Sequence, residues 1–304
     1  MRLSPLTHNR PHTLLPKAGL VLRFLLVSIM TASLLPFSAG SAGAANLLWS
    51  RVNIPSDGAG GRWVLAAGSD IRLLTPAADG TLYCYANPAG TSFRLFKSTD
   101  GGRGWSYTGQ VINEIVDIAV IPDDANCIYY ATASQVYRSI DAGISFSPLP
   151  ASPGGAGSNG KEITSIDAIQ ADGHHYVAAG IRDAGEREFG GVFVWQEGGP
   201  SIWQDTGIGN YDVCCVAFSP GFESDRQITA VVSNEADTLI KTGTYGSGWN
   251  LNAGDARISG VVPLTAAIAF PADYSSDLSL DRYTQFIALN TGSGKGGLYR
   301  LRGR

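Results

Sequence analysis

A turn pattern occurs twice in this sequence and sets the length of its repeating unit. Both copies, residues 98–105 and 139–146, read Ser-x-Asp-x-Gly and end on an aromatic residue, and Phe146 follows Trp105 by 41 positions. This period fits a unit of four short antiparallel strands. In such a turn the Ser and Asp side chains accept backbone N–H bonds, Gly takes a positive φ, and the aromatic ring packs between sheets. Structural roles are therefore expected for Ser98, Asp100, Gly102, Trp105, Ser139, Asp141, Gly143 and Phe146.

Apolar and aromatic segments repeat in the same order along the chain. Each unit opens with an apolar inner strand, expected at residues 71–74, 115–120, 163–169, 213–218 and 266–270. A second strand follows, rich in aromatic and β-branched residues, and then a third. In four units a glycine-rich turn then leads to an aromatic residue that we expect to be buried, namely Trp105, Phe146, Trp203 and Trp249. The pattern predicts an all-β fold, a β-propeller of four-stranded antiparallel blades.

The fifth unit stops after its third strand, at residues 298–301. Residues 47–52 carry Trp49, as the other fourth strands carry an aromatic residue, and we expect them to supply the missing strand. A ring closed by both chain ends leaves no sheet edge exposed. The sequence is therefore interpreted as a five-bladed propeller with closure by its N- and C-terminal strands. The alternative is an incomplete propeller of six or seven blades.

The first 45 residues have the composition of a secretory signal. Basic residues between Arg2 and Arg23 precede an apolar run at 24–37, and small residues occupy 38–45. This order predicts a signal peptide over residues 1–45, one propeller domain over 46–304, and a secreted or cell-surface protein. An uncleaved anchor is the alternative, but the apolar run is shorter than the ~20 residues of a bilayer span. We therefore expect no membrane span after cleavage.

Composition argues against several classes of function. The net charge is −4, only 16% of residues are charged, and no basic block is present, so we expect no nucleic-acid partner. His174 and His175 are neighbours on a predicted strand and should point to opposite faces, which disfavours a joint metal site. We expect no metal, no cofactor and a monomeric chain. Free thiols on predicted strands are expected for Cys84, Cys127, Cys214 and Cys215.

The two turns, together with residues 218–225 and 270–277, resemble those of bacterial Asp-box (BNR) repeat proteins. That superfamily includes sialidases, xyloglucan-cleaving glycosidases, sortilin-type receptors and photosystem II assembly-factor propellers. The resemblance covers most of residues 46–304 and implies the fold, with the turns at the periphery of the ring, but it does not carry function across. Residues 52–55 read Val-Asn-Ile-Pro and lack the Arg of the Arg-Ile-Pro signature of sialidases. This difference argues against sialidase activity.

An acidic residue directly precedes the inner strand in four of the five units. These residues are Asp70, Glu114, Glu162 and Asp212, and the comparable place in the fifth unit is near Leu264. Because inner strands converge on the channel, equivalent positions are expected to form a partial acidic ring at one mouth, which would attract a cation or a basic partner. The alternative to a functional acidic ring is that these are ordinary polar residues at the surface-exposed starts of strands.

The function that these observations favour is an exported, non-catalytic propeller that serves as a binding or interaction platform at the cell surface. Its partner would be a protein or a glycan. The alternative is a glycan-active hydrolase that uses carboxylates at the channel mouth. A pair of acids in a walled cleft would favour the enzyme.

Overall fold

The fold is almost entirely β-structure. A computed structural model of the protein describes residues 70–87, 92–251, 256–277, 283–292, 294 and 296–302. These residues form twenty strands in five antiparallel sheets, and the sheets are the blades of a five-bladed β-propeller. Helix in the described part is confined to a 3-10 turn at Pro153–Gly155 and a four-residue α-helix, α1, at Phe222–Asp225. No helix among these residues has the length and apolar character to cross a membrane.

The blades follow one another along the chain, each with its strands in sequence order. The first contains β1 (Asp70–Pro76), β2 (Leu82–Asn87), β3 (Arg94–Ser98) and β4 (Ser106–Tyr107). The second contains β5 (Asp117–Ile121), β6 (Asp124–Ala131), β7 (Val136–Ser139) and β8 (Ser147–Pro148). The third contains β9 (Lys161–Ala171), β10 (His174–Asp183), β11 (Gly191–Gln196) and β12 (Gln204–Asp205).

The last two blades depart from the four-strand pattern. The fourth contains β13 (Asp212–Phe218), β14 (Gln227–Ser233), β15 (Thr238–Thr244) and β16 (Gly248–Leu251), and β17 (Arg257–Ile258) also pairs with β15. The fifth has three described strands, β18 (Thr265–Ala269), β19 (Thr284–Asn290) and β20 (Gly297–Arg302). The expected closing strand at 47–52 and the expected signal at 1–45 lie outside the described residues.

The hydrophobic core lies between neighbouring blades. The second strand of each blade contributes most to it: Tyr83, Tyr129 and Tyr130 are fully buried, and every residue of β14 is buried. A strand sandwiched between two other sheets has both faces covered, and aromatic and β-branched side chains suit such positions. Full burial of one such side chain stabilises the fold by about 1.5–3 kcal/mol. The apolar second strands of the sequence therefore hold the blades together.

Two of the four aromatic residues after the glycine-rich turns are buried as expected. Trp105 is 4% exposed and Trp203 is 9% exposed. Phe146 and Trp249 are half-buried instead. Phe146 still makes an edge contact with Tyr130, with 4.9 Å between ring centroids, and the indole N–H of Trp249 donates to Thr206 Oγ1 at 3.0 Å. The sequence predicts the positions of these aromatic residues in the chain, but it does not predict the partial exposure of Phe146 and Trp249.

The four cysteines are free thiols. Cys84, Cys127 and Cys214 are buried, and Cys215 is half-buried. Burial raises the pKa of Cys214 to about 11 and also raises the pKa of Cys215. Because the thiolate is the nucleophilic form, these thiols are inert at neutral pH and serve as small apolar side chains.

Candidate functional site

The inner strands of all five blades line one cavity of about 790 Å³, here called the central cavity. Its walls include residues 72–73, 114–117, 162–167, 214–218 and 264–268. Arg182 and Phe270 also line the cavity. A concave site with a mixed apolar and polar lining is the usual form of a ligand site. We therefore treat the central cavity as the candidate functional site.

Three inner strands carry a β-bulge at this cavity. The pairing of β1, β9 and β13 with the second strand of the same blade skips one residue in each case. The skipped residues are Arg72, Thr164 and Cys214, and all three line the central cavity. A bulge interrupts the ladder and re-aims a side chain. The bulges therefore place at the cavity side chains that strict alternation along a strand would direct elsewhere.

The four acidic residues predicted to form a ring are placed unequally. Asp70 and Asp212 are the first residues of β1 and β13, Glu162 is the second residue of β9, and Glu114 lies before β5, which begins only at Asp117. Glu114 and Glu162 line the central cavity, whereas Asp212 lines a different pocket. Asp70 lies near Arg72, with 3.6 Å between Asp70 Oδ2 and Arg72 Nε.

The lining of the central cavity carries both signs of charge. Arg72 forms an ion pair with Glu114, which comes from the next blade, and Arg182 forms an ion pair with Glu162 of the same blade. All four side chains are between about one-third and two-thirds exposed. Ion pairs this exposed contribute little to stability. Because the four side chains are partly exposed at the cavity, they can present both signs of charge to a ligand.

Two further carboxylates, which the sequence pattern does not predict as site residues, line the central cavity. Asp117 on β5 and Asp167 on β9 line the cavity and are half-buried. Burial raises the pKa of Asp117 to about 7, and the nearby charge of Asp167 raises it too. Burial likewise raises the pKa of Asp167 to about 6. An aspartate within an apolar strand is the signal that could have identified them, because carboxylates are seldom buried without a partner.

The carboxylates of Asp117 and Asp167 tie neighbouring inner strands together. Asp117 Oδ2 accepts the N–H of Ile166 on the next blade at 2.8 Å, and Asp167 Oδ2 accepts the N–H of Phe218 on the blade after that at 2.7 Å. The other oxygen of each accepts the N–H of the following residue in its own strand at 2.8 Å. Because both oxygens are engaged, these groups act first as links between blades.

The first Ser-x-Asp-x-Gly turn is held by its own side chains. Ser98 Oγ donates to Asp100 Oδ1 at 2.8 Å and accepts the N–H of Gly102 at 2.9 Å. Asp100 Oδ1 also accepts the N–H groups of Arg103 and Gly104, and these bonds, that of Gly104 first, lower the pKa of Asp100. The turn joins the third and fourth strands of the blade, away from the central cavity.

The second turn repeats this geometry. Ser139 Oγ donates to Asp141 Oδ1 at 2.7 Å and accepts the N–H of Gly143 at 2.9 Å. The hydroxyl of Ser145 donates to Asp141 Oδ2 at 2.6 Å, and this bond is the main reason that the pKa of Asp141 falls to about 2. Gly143 has a φ of +85°, a backbone conformation that residues with a Cβ rarely adopt. The Ser, Asp and Gly of the pattern thus each have a structural role within the turn itself.

Ser139→Ala is expected to lower the free energy of unfolding by about 1–3 kcal/mol, because the buried N–H of Gly143 loses its acceptor. Urea denaturation measures this value. The control is Ser147→Ala on the exposed strand β8, which should change stability by less than about 0.5 kcal/mol. Equal effects of the two substitutions would show that the Ser139 hydroxyl is not needed by the turn.

Comparisons with known proteins return propellers of diverse function. An ancestral GH74 enzyme matches with a TM-score of 0.46 and 20% identity over 83% of this chain and 33% of the enzyme. A SapL1 lectin in complex with alpha methyl fucoside matches with a TM-score of 0.47 and 15% identity over 78% of this chain and 80% of the lectin. YCF48 bound to D1 peptide matches with a TM-score of 0.44 and 14% identity over 74% of this chain and 61% of YCF48.

These likenesses concern the fold alone. The chain spans one-third of the GH74 enzyme and less than two-thirds of YCF48. No protein-family model and no curated protein matches the sequence. Since one fold hosts enzymes and binding proteins alike, function has to be argued from the site.

Proposed function

We propose that this protein is an exported, non-catalytic propeller of the Asp-box repeat type that binds a polypeptide partner at the central cavity. The observation that carries the proposal is the set of oppositely charged side chains that line this cavity from three blades, Arg72 with Glu114 and Arg182 with Glu162. A polypeptide presents side chains of both signs, and complementary charges guide such partners and set their register. Arginine is also enriched in protein interfaces.

Export is inferred from the sequence. The basic, apolar and small-residue segments of residues 1–45 have the order of a secretory signal, which supports a secreted or cell-surface location. A rigid propeller that presents charged groups at one cavity suits a binding platform in that location, because the scaffold holds the side chains in place before the partner arrives.

The proposal is tested by reversing the two arginine charges. The Arg72→Glu/Arg182→Glu variant is expected to bind its partner at least tenfold more weakly, since it replaces both positive charges of the central cavity with negative ones. The partner is first captured on wild-type protein from cells of the source organism, identified, and purified. Its dissociation constant is then measured by calorimetry for the wild type and each variant.

The matched control is Arg103→Glu/Arg300→Glu, which makes the same change in net charge at exposed residues that do not line the central cavity. Its affinity for the partner should equal that of the wild type. Equal weakening by both variants would show a nonspecific charge effect, and an unchanged affinity of the Arg72/Arg182 variant would place the interface elsewhere. Either result contradicts the proposal.

A glycan-active hydrolase is the second candidate, and the pair Asp117 and Asp167 is the observation that favours it. A raised pKa keeps a carboxyl protonated near neutral pH, as a general acid requires, and glycosidases use two carboxylates. Against it, all four carboxylate oxygens already accept backbone N–H bonds. Release of reducing sugar from a polysaccharide panel by the wild type, lost in Asp117→Asn, would establish the enzyme and overturn the binding role.

A further inference from the structure

A second pocket, here called the side pocket, lies beside the central cavity and shares Arg182, Cys214 and Leu264 with it. Its volume is about 460 Å³, and residues 183–187 and 262–264 form much of its wall. Val262 and Leu264 are large apolar side chains that are 47% and 56% exposed. The carboxylates of Asp183, Asp212 and Glu235, which come from two blades, line the same pocket. The side pocket thus combines exposed apolar side chains with several carboxylates.

Asp183, the last residue of β10, is the most deeply buried carboxylate of the side pocket. It is 4% exposed, and its Oδ1 accepts the N–H of Gly185 at 2.7 Å. Its Oδ2 is buried and has no hydrogen-bond partner among the described residues. A buried oxygen without a donor carries a desolvation penalty, and such atoms are rare in native proteins. A ligand that supplies a donor to Asp183 would remove that penalty.

Two further carboxylates strengthen the negative potential of the side pocket. Asp212 is 6% exposed, and its Oδ1 accepts the N–H of Asp183 at 2.8 Å. Burial raises the pKa of Asp212, and the carboxylates of Glu235 and Asp183 raise it further. Glu235 accepts the backbone N–H of Arg187 at 2.8 Å, which fixes its position at the pocket.

The other charged groups of the lining do not neutralise these three carboxylates. Arg182 is engaged with Glu162, and Arg187 is balanced in number by Glu186. The three carboxylates Asp183, Asp212 and Glu235 therefore leave an excess of negative charge beside the apolar residues 262–264. Such a field raises the local concentration of cations.

We propose that the side pocket binds an organic cation, the ammonium or guanidinium group of a lysine or arginine side chain on a protein partner. The charged head donates to Asp183, and Val262 and Leu264 cover the aliphatic stem. In the described part of the chain no group of three or more metal-ligating side chains is placed to hold a metal ion. A ligand with several donors spread over one head fits this arrangement better than a single ion does. The site does not depend on the central cavity having a ligand.

The experiment titrates the protein with N-acetyl-lysine methylamide, N-acetyl-arginine methylamide and the neutral citrulline counterpart. Amide chemical shifts of Gly185 and Gly190, whose N–H groups donate to Asp183 and Asp212, report occupancy. The two cationic probes are expected to move these signals and the neutral probe is not. Asp183→Asn is expected to weaken binding of the cationic probes at least tenfold. Glu223→Gln, on the exposed surface of α1, is the matched control and should bind as the wild type does.

A thermal melt shows whether Asp183→Asn folds, and Glu235→Gln provides a second test if it does not. Binding of both cationic probes that is unaffected by Asp183→Asn and by Glu235→Gln would overturn the proposal. So would equal shifts from the neutral probe. Calcium or magnesium that moves the same amides, with loss of the effect in Asp183→Asn and no response to the organic probes, would replace the proposal with a metal site.

Discussion

Trp105→Ala is expected to lower the free energy of unfolding by about 3–5 kcal/mol, as truncation of a large buried aromatic residue does. Trp105 is 4% exposed and belongs to the core of the first blade together with Cys84, Ala86 and Phe96. Its indole N–H also donates to the carbonyl oxygen of Gly102 at 3.2 Å, within the turn that precedes it. The substitution therefore creates a cavity and removes a bond that holds the turn. Urea denaturation monitored by circular dichroism measures the loss.

Tyr107→Ala is the matched control, because Tyr107 follows closely in the chain but is 47% exposed. This substitution should cost less than about 1 kcal/mol. A loss below about 1 kcal/mol for Trp105→Ala would show that the indole does not form part of the core. That result would also remove the physical reason for the aromatic position in the turn pattern.

The strand architecture could be predicted from the sequence because its signals are local. A Ser-x-Asp-x-Gly turn supplies its own hydrogen bonds, as Ser98 and Ser139 do, and needs no distant partner. The second strands are rich in apolar and β-branched residues, as Ala230, Val231 and Val232 of β14 show, and such segments favour buried positions. The five-bladed ring followed from counting these units. The depths of Phe146 and Trp249 depend on how far the next blade covers each ring, and the sequence of one blade does not contain that information.

The candidate site was harder to predict because its residues meet across blades. The four acidic residues occupy equivalent places before the predicted inner strands, but β5 begins three residues after Glu114 whereas β9 begins before Glu162. Arg72 reaches the central cavity through a bulge, which a strict alternation pattern does not reveal. The pairing of Arg72 with Glu114 joins two blades, so neither residue alone indicates that the charge is compensated.

Asp117 and Asp167 predict a stability that falls as the pH rises from 5 to 8. In the unfolded chain an aspartate ionises near its ordinary pKa of 3.8, whereas burial raises the pKa to about 7 for Asp117 and to about 6 for Asp167 in the fold. The folded state therefore holds these protons more tightly. Their stabilisation is complete below pH ~4 and is lost as the pH passes through the folded-state pKa values. At about 1.4 kcal/mol for each tenfold difference in proton affinity, the part of this loss that falls between pH 5 and pH 8 is about 4 kcal/mol.

Asp117→Asn tests this origin, because asparagine does not titrate. The variant is expected to be less stable than the wild type at pH 5, since the amide cannot accept both the N–H of Ile118 and the N–H of Ile166. Its stability should nevertheless change much less between pH 5 and pH 8. Asp123→Asn, on an exposed turn of the same blade, should keep the wild-type pH dependence. Comparison at each pH cancels the contributions of the other titrating groups, so equal slopes for Asp117→Asn and the wild type would show that the central carboxylates do not set the pH dependence.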